Sequence, residues 1–246
     1  MTRTLITTVL LTSGAFAQAP AQQSPAPPAP VAVPKPPQDW AQLGRYASDD
    51  AALPLPAPGQ PRVVFLGDSI TDGWGRSVGS FFPGKPYVNR GISGQTTPQM
   101  LVRFEQDVVR LQPAVVVILA GTNDVAGNTG PETPAMIEDN FRAMTDIARQ
   151  NGIRPVLASI TPAARYPWRP GVESVAEIRE LNAWLKQYAA EQKLVYLDYY
   201  TAMADAGGAM KPGLSSDGVH PTEAGYAVMA PLAEAAIAKA LKQERP

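Results

Sequence analysis

Two spacings of apolar residues alternate along the chain. Runs that are apolar at nearly every position, such as residues 62–66 (RVVFL) and 114–120 (AVVVILA), are separated by stretches whose apolar residues recur every three or four positions. The first spacing suits a strand covered on both faces, as in a parallel sheet, and the second suits one face of an α-helix. Further strands are expected around residues 87–89, leading to Gly91, and over 153–160 and 193–198. Helical stripes are formed by Met100, Phe104, Val108 and Leu111 after a Thr97-Pro98 start, by Ile137, Phe141, Met144 and Ala148, and by Ile178, Leu181, Leu185 and Tyr188. A last helix runs from Thr222 towards Leu241, and Asp39 is placed to cap a short one carrying Trp40, Leu43 and Tyr46. Strands alternating with amphipathic helices predict a three-layer α/β/α sandwich with about five parallel strands. In such sheets ligands sit beyond the carboxyl ends of the strands, so the segments that follow each strand are where chemistry is sought.

The first 38 residues follow neither spacing. Arg3 precedes an apolar run, residues 5–17, that closes on Ala15-Phe16-Ala17, the small-x-small pattern of a signal-peptidase site. Thirteen helical residues would span about 20 Å, short of a hydrocarbon core of about 30 Å, so residues 1–17 read as a cleaved export signal with no membrane-spanning segment left after cleavage. Residues 18–38 are dominated by Ala, Gln and Pro and read as a disordered, extended linker. The folded domain is expected over 39–246, in a secreted or periplasmic protein.

Composition narrows the chemistry. Hydrophobic residues make up 45% and charged residues 17%, enough for a sizeable core. A formal charge of -1 supplies no basic field for a phosphate backbone, which disfavours nucleic acid as a partner. There is no cysteine and one histidine, His220, so disulfides, thiolate nucleophiles and an ordinary zinc site drop out, and any histidine chemistry runs through one residue.

Four polar clusters follow the expected strands. Gly67-Asp68-Ser69-Ile70-Thr71 places a serine at the start of a helix, where it is either an exposed nucleophile or an ordinary cap. Asn89-Arg90-Gly91-Ile92-Ser93-Gly94 is a glycine-rich turn able to offer the Gly91 N–H. Gly121-Thr122-Asn123-Asp124 ends the most apolar strand and puts an amide side chain at the rim. In Asp217-Gly218-Val219-His220, the aspartate lies three residues ahead of the histidine, close enough in a turn to accept one ring proton and leave the other nitrogen as a base. Asp68 and Asp124 suit structural hydrogen bonding.

Together, in this order, GDS, the glycine block, GTND and DGVH resemble the SGNH (GDSL) hydrolase family, from about residue 62 onward. The resemblance implies a flavodoxin-like fold and ester hydrolysis without metal or cofactor. It makes Ser69 the nucleophile, His220 and Asp217 the rest of a triad, and Ser69, Gly91 and Asn123 the donors of an oxyanion hole. The expected partner is a small ester or an acylated carbohydrate. The proline-rich segment 161–170 follows a strand end, and its Tyr166 and Trp168 either wall the pocket or fasten the loop; Trp74 is a further wall candidate. No long apolar cap shelters a fatty chain, which favours short acyl groups, acetyl above all. An acyltransferase with the same triad, a lysophospholipase and a non-catalytic carbohydrate- or lipid-binding module are the alternatives. Oligomeric state is left open.

Overall fold

The computed structural model describes residues 39–244. The expected leader (1–17) and spacer (18–38) lie outside them. Five strands form one parallel sheet: β1 (Val63–Gly67), β2 (Tyr87–Gly91), β3 (Val115–Leu119), β4 (Arg154–Ala158) and β5 (Val195–Leu197), in the order β2-β1-β3-β4-β5. Among the described residues eight α-helices connect and flank them: α1 (Ala47–Ala52), α2 (Ser69–Gly73), α3 (Thr97–Asp107), α4 (Thr122–Val125), α5 (Pro134–Gln150), α6 (Ser174–Glu191), α7 (Tyr199–Met203) and α8 (Glu223–Leu241).

The sheet is covered on both faces, which is why β1 and β3 are apolar at every position. Val64, Leu66, Val116, Ile118 and Leu157 face Met100, Phe104, Ile137, Phe141, Met144, Ile178, Leu181 and Leu185 of α3, α5 and α6. Val63, Phe65, Val115, Val117, Leu119 and Val156 face Tyr226, Met229, Ala233, Ile237 and Ala240 of α8. Among the described residues α8 alone is long and apolar enough to cross a membrane, but these five side chains lie buried in the core. Each fully buried Leu, Ile, Val, Phe or Met contributes about 1.5–3 kcal/mol of transfer free energy, so these two layers dominate the stability.

Register sets the working rim. Gly67 pairs with Gly91 on one side and Leu119 on the other, so β1, β2 and β3 end level. The chain runs from β1 outward to β2 and then crosses back to β3. The reversal opens a crevice beyond the strand ends, which is where open α/β sheets bind ligands.

Four elements depart from the reading of the pattern. Residues 40–46 form turns rather than a helix, because the Asp39 carboxylate accepts from the Leu43 and Gly44 N–H groups (2.7 and 2.9 Å) and folds the segment around itself; α1 starts only at Ala47. Thr96, not Thr97, is the cap of α3, with the Gln99 side chain accepting its backbone N–H at 3.1 Å. The short helices α4 and α7 have too few residues to show a period.

Candidate active site

Ser69 is the first residue of α2. A five-residue helix has no stability of its own, so tertiary bonds hold it. The buried Asp68 caps it, with Oδ1 accepting the Ile70 N–H at 2.9 Å. Tyr226 donates its hydroxyl to the Ile70 carbonyl (2.8 Å), and Asn89 Nδ2 donates to the carbonyls of Thr71 and Trp74 (2.6 and 3.1 Å). Burial pushes the Asp68 carboxyl up to about 6, against the pull of the Ile70 N–H and of His220. Arg103, fully buried, donates to the carbonyls of Gly67 and Arg90 (3.0 and 2.8 Å) and to Gln95 Oε1 (2.6 Å), joining the ends of β1 and β2 and the loop that follows β2. Asp107 accepts from it at 3.0 Å and balances its charge.

His220 reaches Ser69 from the opposite end of the sequence. Asp217 Oδ1 accepts the N–H groups of Val219 and His220 (2.9 and 2.8 Å), a turn that brings Oδ2 within 2.6 Å of His220 Nδ1. Val219, fully buried, pins this loop to the core. His220 Nε2 then lies 2.8 Å from Ser69 Oγ. Burial raises the Asp217 carboxyl, but the bonds from the His220 ring and from the His220 and Val219 N–H groups outweigh it and hold the group at about 2. An ionised Asp217 accepts a hydrogen bond from the Nδ1–H of His220, which keeps the proton on Nδ1, so Nε2 is left to accept from the serine hydroxyl.

The rim around Ser69 Oγ is a cavity of about 340 Å³ lined by Ser69, Ser93, Gly94, Asn123, Asn128, Trp168 and His220. The Ser69 N–H, at a helix start, has no acceptor in its own helix. Gly91 is not on this wall: it ends β2, its N–H donates to Asn89 Oδ1 at 2.9 Å, and a Cβ there would run into the backbone of Thr71 and Asp72. Its glycine serves the close approach of β2 to α2. Gly94, at φ +82°, lines the cavity instead, and its carbonyl accepts from Asn128 Nδ2 at 3.2 Å. Asn123, on α4, donates one Nδ2 hydrogen to the Gln95 carbonyl (3.0 Å) and has a second hydrogen to offer the cavity. Asp124 accepts from the Thr97 N–H and hydroxyl (2.9 and 2.5 Å) and fastens α4 to the start of α3.

The three aromatic wall candidates separate. Trp74 is 3% exposed, stacked on Tyr226 and set among Phe65, Phe81 and Phe82 on the α8 side of the sheet; it does not line the cavity. Tyr166 is 1% exposed, and its hydroxyl bonds Thr122 Oγ1 at 3.0 Å, so it fastens the 161–170 loop. Only Trp168, 39% exposed, stands on the wall, its ring 5.8 Å from that of His220. Arg103, Gly94 and Asn128 were not singled out in the sequence. Gly94 alone carried a signal there, since it lies past the end of β2, where the rim of a parallel sheet is expected. Among the described residues no three His, Cys, Asp or Glu side chains converge as metal ligands would.

Residues 65–228 match the model of the GDSL-like lipase/acylhydrolase family. The chain belongs to that family. It is a carboxylic ester hydrolase, and its parallel sheet is the family's fold. A GDSL-like lipase of Bacteroides thetaiotaomicron VPI-5482 superimposes with a TM-score of 0.79 at 44% identity, covering 81% of this chain and 98% of that one. An acetylxylan esterase of Geobacillus stearothermophilus is 28% identical over 203 residues, 69% of this chain and 90% of that protein. The uncharacterized lipoprotein YqeF of Bacillus subtilis is 35% identical over 79 residues, 30% of this chain; the match spans about a third of that lipoprotein (32%).

Proposed function

We propose that the chain is an exported serine esterase that removes short acyl groups, acetyl above all, from small esters and acylated carbohydrate. The observation that carries this reading is the unbroken hydrogen-bond path Ser69 Oγ–His220 Nε2, His220 Nδ1–Asp217 Oδ2, 2.8 and 2.6 Å, at the wall of an open cavity. A serine hydroxyl is a poor nucleophile until a base removes its proton, and His220 is in place to do so as Ser69 Oγ attacks the ester carbon. The negative charge moves to the carbonyl oxygen, where the N–H groups of Ser69 and Gly94 and the Asn123 amide would hold it; each such donor is typically worth roughly 2.7–4 kcal/mol in the transition state. His220 then gives its proton to the leaving alkoxide. Water repeats the sequence on the acyl-serine, releasing the acid and restoring the hydroxyl.

The cavity wall favours a short acyl group. Trp168 is the one apolar side chain of its wall, so a fatty chain would find little surface against which to gain the roughly 0.8 kcal/mol per buried CH₂ that selects long substrates. The carbohydrate side is supported by the exposed Trp168 ring, a flat apolar face beside polar donors, and by the acetylxylan esterase relative. Export is supported by the leader-like residues 1–17 and by the lipoprotein relative. A panel of p-nitrophenyl esters from acetate to palmitate, run with the native chain and Ser69→Ala, tests nucleophile and chain length together. Turnover should fall from acetate onward and vanish in the variant; activity that survives Ser69→Ala, or that peaks on palmitate, overturns the reading.

A further inference from the structure

Asn123 presents a donor to the cavity only if its amide stands one way round, and the two ends of an amide differ by nothing but polarity. The structure places a second amide, Asn128, against it. Asn128 Nδ2 donates to Asn123 Oδ1 at 2.8 Å and to the Gly94 carbonyl at 3.2 Å, while Asn128 Oδ1 accepts from Trp168 Nε1 at 3.0 Å. Its own backbone N–H returns to the Asn123 carbonyl at 3.0 Å. The groups at the ends of this chain have fixed polarity. An indole N–H only donates, and the carbonyls of Gly94 and Gln95 only accept. Reading from Trp168, Asn128 must turn its oxygen to the indole and its nitrogen to Gly94 and Asn123. Asn123 must then turn its oxygen to Asn128 and its nitrogen to Gln95 and the cavity. Reading from Gln95 gives the same answer. Neither amide can flip without setting two donors or two acceptors face to face, which costs about as much as the bonds it breaks.

We propose that Asn128 is a positioning residue of the esterase site, one that holds Asn123 and the Gly94 loop in the orientation that stabilises the oxyanion, and that Trp168 sets its polarity. The inference rests on the serine-esterase reading above. Asn128 lines the cavity wall, half-buried, so replacing it need not disturb the core. Without it Asn123 keeps its bond to Gln95 but loses the partner on its oxygen, and the Gly94 carbonyl loses a donor. The fault should appear where charge develops and not in ground-state affinity, because the acyl oxygen gains most of its charge only in the transition state.

The test uses p-nitrophenyl acetate kinetics and side-chain amide NMR on the native chain, Ser69→Ala, Asn128→Ala, Asn128→Asp, Asn123→Ala and the Asn123→Ala/Asn128→Ala pair, each checked for an unchanged melting curve. Asn128→Ala should lower kcat about tenfold with KM within about twofold, less than the loss from removing an oxyanion donor outright. In the Asn123→Ala background the same change should cost clearly less than in the native chain, since the part that passes through Asn123 is already lost and only the Gly94 contact remains to lose. Asn128→Asp sets a carboxylate oxygen against two acceptors, so it should lose more than Asn128→Ala at neutral pH and recover relative to the native chain as pH falls and the carboxyl gains a proton to donate. Independently of turnover, the Trp168 indole and Asn123 amide resonances should shift in Asn128→Ala. An unchanged kcat in Asn128→Ala, the full loss repeated in the Asn123→Ala background, or unmoved resonances would each overturn the proposal. An inactive native chain, or a Ser69→Ala variant as active as the native one, would overturn the esterase reading instead; the NMR arm would still decide whether Asn128 sets Asn123.

Discussion

The two halves of the candidate active site are held in place by different means. The serine side is built into the core: α2 is capped by a buried Asp68, tied by Tyr226 and Asn89, and backed by the Trp74–Phe65–Phe82 aromatic cluster. The histidine side is a half-exposed loop, with the side chains of His220 and Asp217 38% and 37% accessible, that holds itself by the turn around Asp217 and touches the core through Val219. A nucleophile must stay within a fraction of an ångström of its donors, whereas a base that takes and returns a proton needs contact with both serine and solvent. Damage to the first half should therefore register mainly as lost stability, and damage to the second mainly as lost turnover, apart from Ser69 Oγ itself.

The largest effects test the chemistry that joins the halves. Ser69→Ala and His220→Ala should each lower kcat on p-nitrophenyl acetate on the order of 10⁶-fold with the melting temperature nearly unchanged, and Asp217→Ala should fall short of both, on the order of 10⁴-fold, because it orients a base and does not itself react. An Asp217→Ala loss equal to that of His220→Ala would break this ranking.

Tyr226→Phe comes next and should act on stability. It strips the buried Ile70 carbonyl of its donor, at about 1–3 kcal/mol, or roughly 2–10 °C in melting temperature for a domain of this size. The mirror experiment is Ser215→Ala. Ser215 Oγ donates to Asp217 Oδ1 (3.1 Å) and accepts the Gly218 N–H (3.0 Å) on the partly exposed loop, so its loss should lower kcat a few-fold with the melting curve unmoved. If both variants shifted only the melting curve, the contrast between the halves would be lost.

The smallest effect is one of pH. Burial raises the Asp68 carboxyl from 3.8 to about 6, so the protonated form is favoured by folding. Its stabilising contribution is complete below about pH 3.8 and is lost as pH rises through 6. Asp68→Asn keeps an oxygen for the Ile70 N–H and cannot ionise, so its melting temperature should gain on that of the native chain between pH 4 and 7. Asp217 has the opposite sign: lowered from 3.8 to about 2, its contribution is present above 3.8 and lost as pH falls towards 2, so a native-minus-Asp217→Asn difference in melting temperature should shrink over that lower window.

Much of this was visible in the chain before any fold. Ser69 and Asn123 stood out as residue types just past strand ends and Asp217 and His220 as a turn ahead of the last helix, and the structure brings all four to one rim. The glycine block shows where that legibility stops. Both Gly91 and Gly94 follow the second apolar run, and only the register of β2, together with the Asn89 side chain that occupies the Gly91 N–H, decides that Gly94 is the one facing the cavity. Trp74 sits five positions past the serine yet faces into the core on the α8 side, where Phe81 and Phe82 return to cover it. Of Tyr166 and Trp168, two residues apart on one loop, Thr122 takes the first into the interior and Asn128 holds the second at the wall.

Local rules thus determined the element types, the parallel sheet and the chemistry available at its rim, because apolar periodicity and turn residues act over a few positions and need no knowledge of the partner. Tertiary structure alone decided which N–H groups and rings face the cavity. Donors are claimed by whichever acceptor is nearest in space: for Asn123 and Trp168 that acceptor was set by the packing of loops and strands the local pattern does not connect, and for Gly91 by the Asn89 side chain two residues back, which the strand register turns onto it.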